Sequence, residues 1–193
     1  GVQTCALPIS GPGISVMNTR GLTDIFLLKL SSSGNYLWAK TFGGTGLDYG
    51  QSVTTDAQRN VVITGRFSES ANFGQGIQNL QSRGGTDIFL VKLDENGNTQ
   101  WANGYGDTGN DQGNQVVVNS TGVIYLAGIF RGKVDFDASF ELNNNSESKG
   151  GADVFIAVYN QDGTYNDHIS FGGIANEQIN GIDLKNNGEV VST

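Results

Sequence analysis

A chain of 193 residues is long enough for one domain with a sizeable core. Its formal net charge of −8, with no stripe of Lys or Arg, gives a surface that polyphosphate repels, so no nucleic-acid partner is expected, and no apolar window of about 18 residues is present to span a membrane. A single Cys excludes an internal disulfide framework and a cysteine-based zinc cluster, and Gly 29 with only 16% charged residues points to a turn-rich chain with a polar, mostly uncharged surface.

In chain order, the first segment is GVQTCALPI (Gly1–Ile9), which matches nothing that follows. The string GGAGTTCAGACGTGTGCTCTTCCGATC, a common short-read library adapter, encodes these nine residues in frame. The internal repeat begins at Gly11, because "GPGISVMNTRGLTD" (Gly11–Asp24) aligns without a gap on "GQGIQNLQSRGGTD" (Gly74–Asp87). Residues 1–10 are therefore expected to be adapter-derived or unstructured, and 11–193 to be a repeat segment truncated at both ends and assembled from environmental reads.

The repeat itself is long. "TDIFLLKL" (Thr23–Leu30) returns as "TDIFLVKL" (Thr86–Leu93) and as "ADVFIAVY" (Ala152–Tyr159). Trp38 and Trp101 follow fourteen residues after Asp24 and Asp87. "FGGTGLDYG" (Phe42–Gly50) matches "YGDTGNDQG" (Tyr105–Gly113) and, more loosely, "FGGIANEQI" (Phe171–Ile179). "VVITGRF" matches "IYLAGIF", which makes Gly65 and Gly128 equivalent repeat positions.

Each unit reads as four short strands: a (Gln51–Thr55), b (Val61–Phe67), c (Asp87–Leu93) and d (Thr99–Tyr105). The a–b and c–d turns are tight and rich in Asn, Asp and Gly, as hairpin turns require. Strand c is apolar on both faces, Ile88 and Leu90 against Phe89, Val91 and Leu93, so it needs cover on both sides. Antiparallel sheets arranged radially supply that cover. The expected fold is all-β: a partial β-propeller with a half blade (Asp24–Phe42), two full blades (Gly50–Tyr105 and Gly113–Phe171) and a second half blade (Ile179–Thr193). A kinked β-solenoid is the alternative.

The candidate residues follow from this register. Asp24, Asp87 and Asp153 stand at the entrance of strand c behind Gly-rich turns, where an Asp bonds the turn backbone, with a ligand role as the alternative. Trp38 and Trp101 are expected to pack as wedges between blades rather than as sugar platforms. The only histidine, His168, is expected to be structural, and no nucleophile–base pair arises from repeat positions. "DENGNTQ" (Asp94–Gln100) is expected to be a plain hairpin rather than a calcium loop, so no cofactor is expected, with calcium as the weaker alternative. The d–a loops carry Asp48, Asp111 and Glu177. The long b–c connection Arg131–Ala152 carries Asp135, Asp137, Glu141 and an "NNNS" tract. Both sets fall on one face, the long-loop face, and Asp48, Asp111, Glu177, Asp135 and Asp137 are its candidate ligand contacts, with loop capping as the alternative role.

"GGTDIFLVKLDENGNTQWANGYG" followed by "DQGNQVVVNSTGVIYLAGIF" resembles the SBBP β-propeller repeat of secreted and surface proteins of bacteria. The resemblance covers nearly all of 11–193. It implies an extracellular or cell-surface location, with type IX secretion as the suggested route of export. It also implies a non-catalytic binding or structural role toward protein or glycan, and packing against the remaining blades of the same chain. The alternative is a propeller hydrolase or lyase with carboxylates at the ring centre.

Overall fold

The computed structural model describes residues 4–6, 16–138, 145–185 and 188–193. Sixteen strands and no helix form among them. The first full blade contains β5 (Tyr49–Thr55), β6 (Val61–Phe67), β9 (Asp87–Leu93) and β10 (Thr99–Tyr105). They lie side by side and antiparallel in the order β10-β9-β6-β5, the up-and-down order read from the sequence. The second blade repeats this with β11 (Gln112–Val118), β12 (Ile124–Asp135), β13 (Asn145–Tyr159) and β14 (Tyr165–Phe171). Before them, β3 (Ile25–Leu30) and β4 (Tyr36–Gly44) form a c–d half blade. After them, β15 (Ile182–Leu184) and β16 (Val190–Ser192) form an a–b half blade. The architecture is a partial β-propeller of four-stranded antiparallel blades.

Burial of β9 explains why the blades stack. All seven of its residues are buried. Ile88 and Leu90 join a cluster with Val62, Leu126 and Phe155 toward the second blade. Phe89, Val91 and Leu93 join another with Ile25, Phe42 and Phe73 toward the first half blade. Each such side chain contributes about 1.5–3 kcal/mol when fully buried, and only a sheet covered on both faces collects this from successive residues. Beyond the first half blade, Phe26, Leu30 and Leu37 are 44–51% exposed.

Blades approach most closely along their first strands, where β11 packs against β5 and β6. Glycine permits this. A Cβ on Gly113 would run into Thr64 Oγ1, and one on Gly50 would stand 3.2 Å from Ile25. Ile179 takes the same place in the last unit. Its side chain is buried against Ala127 instead, and β15 starts only at Ile182, later than the expected Ile179. Gly65 and Gly128 are tight for the same reason. A Cβ on either would collide with a neighbouring carbonyl, Tyr49 O or Gln112 O, and would crowd the ring of Phe89 or Phe155.

The long b–c connections contain more structure than their composition suggests. In the first blade, β7 (Ser70–Asn72) and β8 (Leu80–Gln81) form a small hairpin, and β7 also pairs with the end of β4. In the second, β12 and β13 extend past the expected Phe130 and Asp153, pairing Lys133 with Glu147 and Asp135 with Asn145. A bulge at Gly132 (φ 72°) redirects the ribbon and buries Val134 and Phe136. Glu141 and the first residues of the NNNS tract lie outside the described residues. Most of 1–15 does too, but β1 (Thr4–Ala6) pairs with β2 (Val16–Asn18), so these three residues of the leading segment do have backbone partners.

Candidate functional site

The long-loop face is built from one junction repeated along the array. At each strand-c entrance an Asp accepts a backbone N–H from four residues earlier. Asp24 Oδ2 takes Arg20 N at 2.8 Å, Asp87 Oδ2 takes Arg83 N at 3.0 Å, and Asp153 Oδ2 takes Lys149 N at 3.2 Å. These are the turn-bonding roles expected for the three residues. Twenty-four residues later in each unit comes the d–a loop acid, Asp48, Asp111 or Glu177. Their N–H groups donate to Thr23 O (3.0 Å), Thr86 O (2.7 Å) and Ala152 O (2.8 Å), folding each loop back over the start of its own strand c.

The side chains of these later acids close the same loops. Asp48 Oδ2 accepts Gly44 N at 2.8 Å, and Glu177 Oε2 accepts Gly173 N at 3.2 Å. Asp111 Oδ1 accepts Arg131 N at 2.9 Å, and its Oδ2 accepts Asp107 N at 3.3 Å. Asp48 and Asp111 are 0% exposed. In this structure both carboxylates act as loop caps, the alternative role to the ligand contacts expected of them. Glu177 is half-buried. Asp135 Oδ1 accepts the N–H of Asp137, and Asp137 is itself buried.

Burial makes the junctions electrostatically unusual. A Cβ on Gly106 would stand 2.8 Å from Asp87 Oδ1 and 2.9 Å from Asp111 Oδ2. One on Gly43 would stand 3.0 Å from Asp24 Oδ1 and 2.6 Å from Asp48 Oδ2. Each pair of carboxylates thus faces the other over a bare glycine. Oδ1 of Asp24, Asp87 and Asp153 has no hydrogen-bond partner. Burial pushes Asp48 up to about 6, with the charges of Asp24 and Glu69 adding to it. It pushes Asp87 up to about 6 and Asp111 to about 7, where the neighbouring acids again add. A proton retained by the pair removes most of the cost of burying two like charges. A calcium ion takes six to eight oxygens, and no cluster of three or more candidate ligand side chains occurs among the described residues.

The opposite face is a row of hairpins, and Ser31, Asp56, Asp94 and Asn119 cap theirs with the first side chain of the turn. Asp94 Oδ1 accepts the N–H groups of Asn96 (2.9 Å) and Asn98 (2.8 Å), and its Oδ2 accepts Asn98 Nδ2. The whole carboxylate is thus spent on a plain turn. Trp38 and Trp101 pack against the hairpin of the next blade. Their rings stand 3.2 and 3.0 Å from where a Cβ would be on Gly97 and Gly163 of the next blade's hairpin. The sequence gives no hint of Lys92, which is buried inside β9 and pairs with Asp56 Oδ2 at 2.9 Å. His168 has both ring nitrogens engaged, with Ser146 Oγ at 2.9 Å and Tyr165 OH at 2.7 Å, and it packs on Phe136. Ser146 is thus a hydroxyl beside an imidazole that repeat positions alone do not pair.

Large apolar side chains are among those the long-loop face exposes. Leu22, Leu47 and Ile174, at the strand-c entrance and in two d–a loops, are 69%, 38% and 93% exposed. Arg20, Arg83 and Arg131 stand among the same loops.

No protein-family model matches the chain. It is 28% identical over 167 residues to an uncharacterized WD repeat-containing protein, L264, of Acanthamoeba polyphaga mimivirus, covering 78% of this chain and 12% of that protein. It is 27% identical over 180 residues to the regulatory protein FlaEY of Caulobacter vibrioides, covering 90% of this chain and 18% of that protein. The chain thus spans less than a fifth of the length of either relative. Fold and likeness together define a β-propeller-like repeat protein.

Proposed function

We propose that the chain is a non-catalytic binding segment of a β-propeller, recognising a protein partner through its long-loop face. The observation that carries this reading is the exposure of Leu22, Leu47 and Ile174 on loops pinned by the junction hydrogen bonds. Apolar side chains on a rigid frame lose little entropy on docking. The neighbouring Arg20, Arg83 and Arg131 favour a partner segment with apolar anchors and carboxylates. The WD-repeat name of one relative fits a role in protein assembly. Placement outside the cell belongs to the same proposal and rests on the resemblance to the SBBP repeat. Further blades of the same chain are the natural cover for Phe26 and Leu30.

A phage-displayed peptide library panned on the chain tests this. Selected peptides carry acidic and apolar residues. They lose binding to a Leu22→Ser/Leu47→Ser/Ile174→Ser variant and keep it to an Arg59→Ala/Glu95→Ala variant on the hairpin face. The opposite pattern sinks the assignment.

A further inference from the structure

Beside β10, between the two full blades, lies a groove whose two adjoining lobes measure about 540 and 560 Å³ and share Gln100 and Trp101. This is the size range of small-molecule sites, about 300–1,000 Å³. It runs along the outer rim, apart from the loop-face residues Leu22, Leu47 and Ile174. One wall is the segment 76–83 before β9, the floor is β10, and the far wall of the second lobe is the hairpin 160–162 of the next blade.

Amide side chains dominate the polar lining, with Arg83, Lys92 and Asp162 as its charged members. Gln78, Asn79, Gln81, Gln100 and Asn103 surround Trp101. Three of these amides are held by one half and leave the other half open. Asn79 accepts from Asn72 Nδ2 and keeps its own NH₂. Gln81 donates to Ser70 Oγ and keeps its carbonyl. Asn103 donates to Gly163 O and keeps its carbonyl. These amides therefore offer fixed, uncharged donors and acceptors, the complement of hydroxyl groups, which both donate and accept.

Trp101 differs from its repeat equivalent in one respect. Trp38 Nε1 donates to Glu95 O at 3.0 Å, whereas Trp101 Nε1 has no acceptor among the described residues. A half-buried indole with a spare N–H supplies both an apolar face and a donor. Arg83 stands at one end, its guanidinium held on Gly106 O at 3.2 Å. An extended peptide adding to the open edge of β10 meets an obstacle, because Leu80 folds over Gly104, 3.5 Å from where a Cβ would be.

We propose that this interblade groove binds a neutral saccharide, one or two sugar units long, through amide–hydroxyl hydrogen bonds and the Trp101 indole. The groove meets the loop face only at Arg83 and uses none of Leu22, Leu47 and Ile174.

The experiment is an array of neutral mono- to tetrasaccharides probed with the full chain, followed by calorimetric titration of the best ligand. At least one saccharide binds with a millimolar or tighter Kd. Gln78→Ala/Gln81→Ala weakens it at least about tenfold while leaving the unfolding midpoint unchanged, since both side chains are exposed. Trp101→Phe weakens it further. The proposal is overturned if no neutral saccharide binds in the millimolar range, or if binding is indifferent to the Gln78/Gln81 pair. It is equally overturned if only extended peptides bind in a Gln78/Gln81-dependent way.

Discussion

Trp101 lies with its indole against the backbone of Gly163, so that a β-carbon there would stand 3.0 Å from the ring. The φ of Gly163 is 85°, a conformation that side chains disfavour on their own account. Position 163 thus excludes a side chain twice, once for its own backbone and once for the neighbouring blade. Gly163→Ala is expected to cost about 2–4 kcal/mol, combining left-handed strain with overpacking against Trp101. Gly34→Ala is the control, with φ 81° and nothing within 4 Å of its Cβ. It should lose only about 1 kcal/mol. Urea unfolding of both variants separates the two costs, and equal losses would mean that the wedge carries no load.

Arg59 occupies the hairpin position that Gly34, Gly97, Gly122, Gly163 and Gly188 occupy elsewhere, and it holds φ at 66°. Its exposed pair with Glu95 at 3.2 Å is worth little in solvent. Arg59→Gly is therefore expected to stabilise the fold by about 0.5–1 kcal/mol, read as a higher midpoint in thermal or urea unfolding. A lower midpoint would show that the Glu95 pair outweighs the strain.

Strand order was the most legible part of the sequence, because strand c repeats an apolar run on both faces and the turns between strands carry Asn, Asp and Gly at hairpin spacing. β6, β9 and β10 fall at the expected residues. The junction acids were legible as a recurring position but not as buried ones. Asp111 is enclosed by Arg131, Asp107 and the start of β9, residues spread over more than forty positions, and no local pattern encodes that convergence. The β7–β8 hairpin was hidden for a similar reason. Its strands are two or three residues long and are stabilised by pairing with β4, not by their own propensities. Lys92 looks like a polar break in an apolar strand until Asp56 from another hairpin supplies its counter-charge.

The junction carboxyls predict how stability depends on pH. Asp48, Asp87 and Asp111 are raised from 3.8 to about 6, 6 and 7, so the folded state holds these protons more tightly than the unfolded chain. Their effect is a loss of stability as pH rises from about 4 to about 7, level beyond. Asp56, Asp94 and Asp162 are lowered and act below this window, where stability falls as they protonate. Burial lowers His168, which works in the opposite sense within the window, adding stability as pH rises. The deciding comparison is therefore Asp111→Asn against the parent at each pH. The variant should show a shallower downward slope between about pH 5 and 7, with the shares of Asp48 and Asp87 remaining, measured as urea midpoints. An unchanged slope would place the titration elsewhere.

The Lys92–Asp56 pair is buried on both sides, with side chains 2% and 0% exposed. Lys92→Met alone leaves Asp56 buried without its counter-charge and should cost about 3–5 kcal/mol. Adding Asp56→Asn keeps the acceptor for the turn N–H groups of Gln58 and Asn60 and should recover much of that loss. A double-mutant cycle in urea measures the coupling. Additive losses would mean that the two charges do not depend on each other.

Each blade junction closes on itself within a short stretch of chain. Asp111 N–H reaches Thr86 O, and Glu177 N–H reaches Ala152 O, each twenty-five residues back. A polypeptide leaving the ribosome N-terminus first can therefore lock the entrance of one strand c soon after the following strand d has emerged. No distant partner is required for that step. The array can consolidate one latch at a time in the direction of synthesis, each latch closing from residues already made.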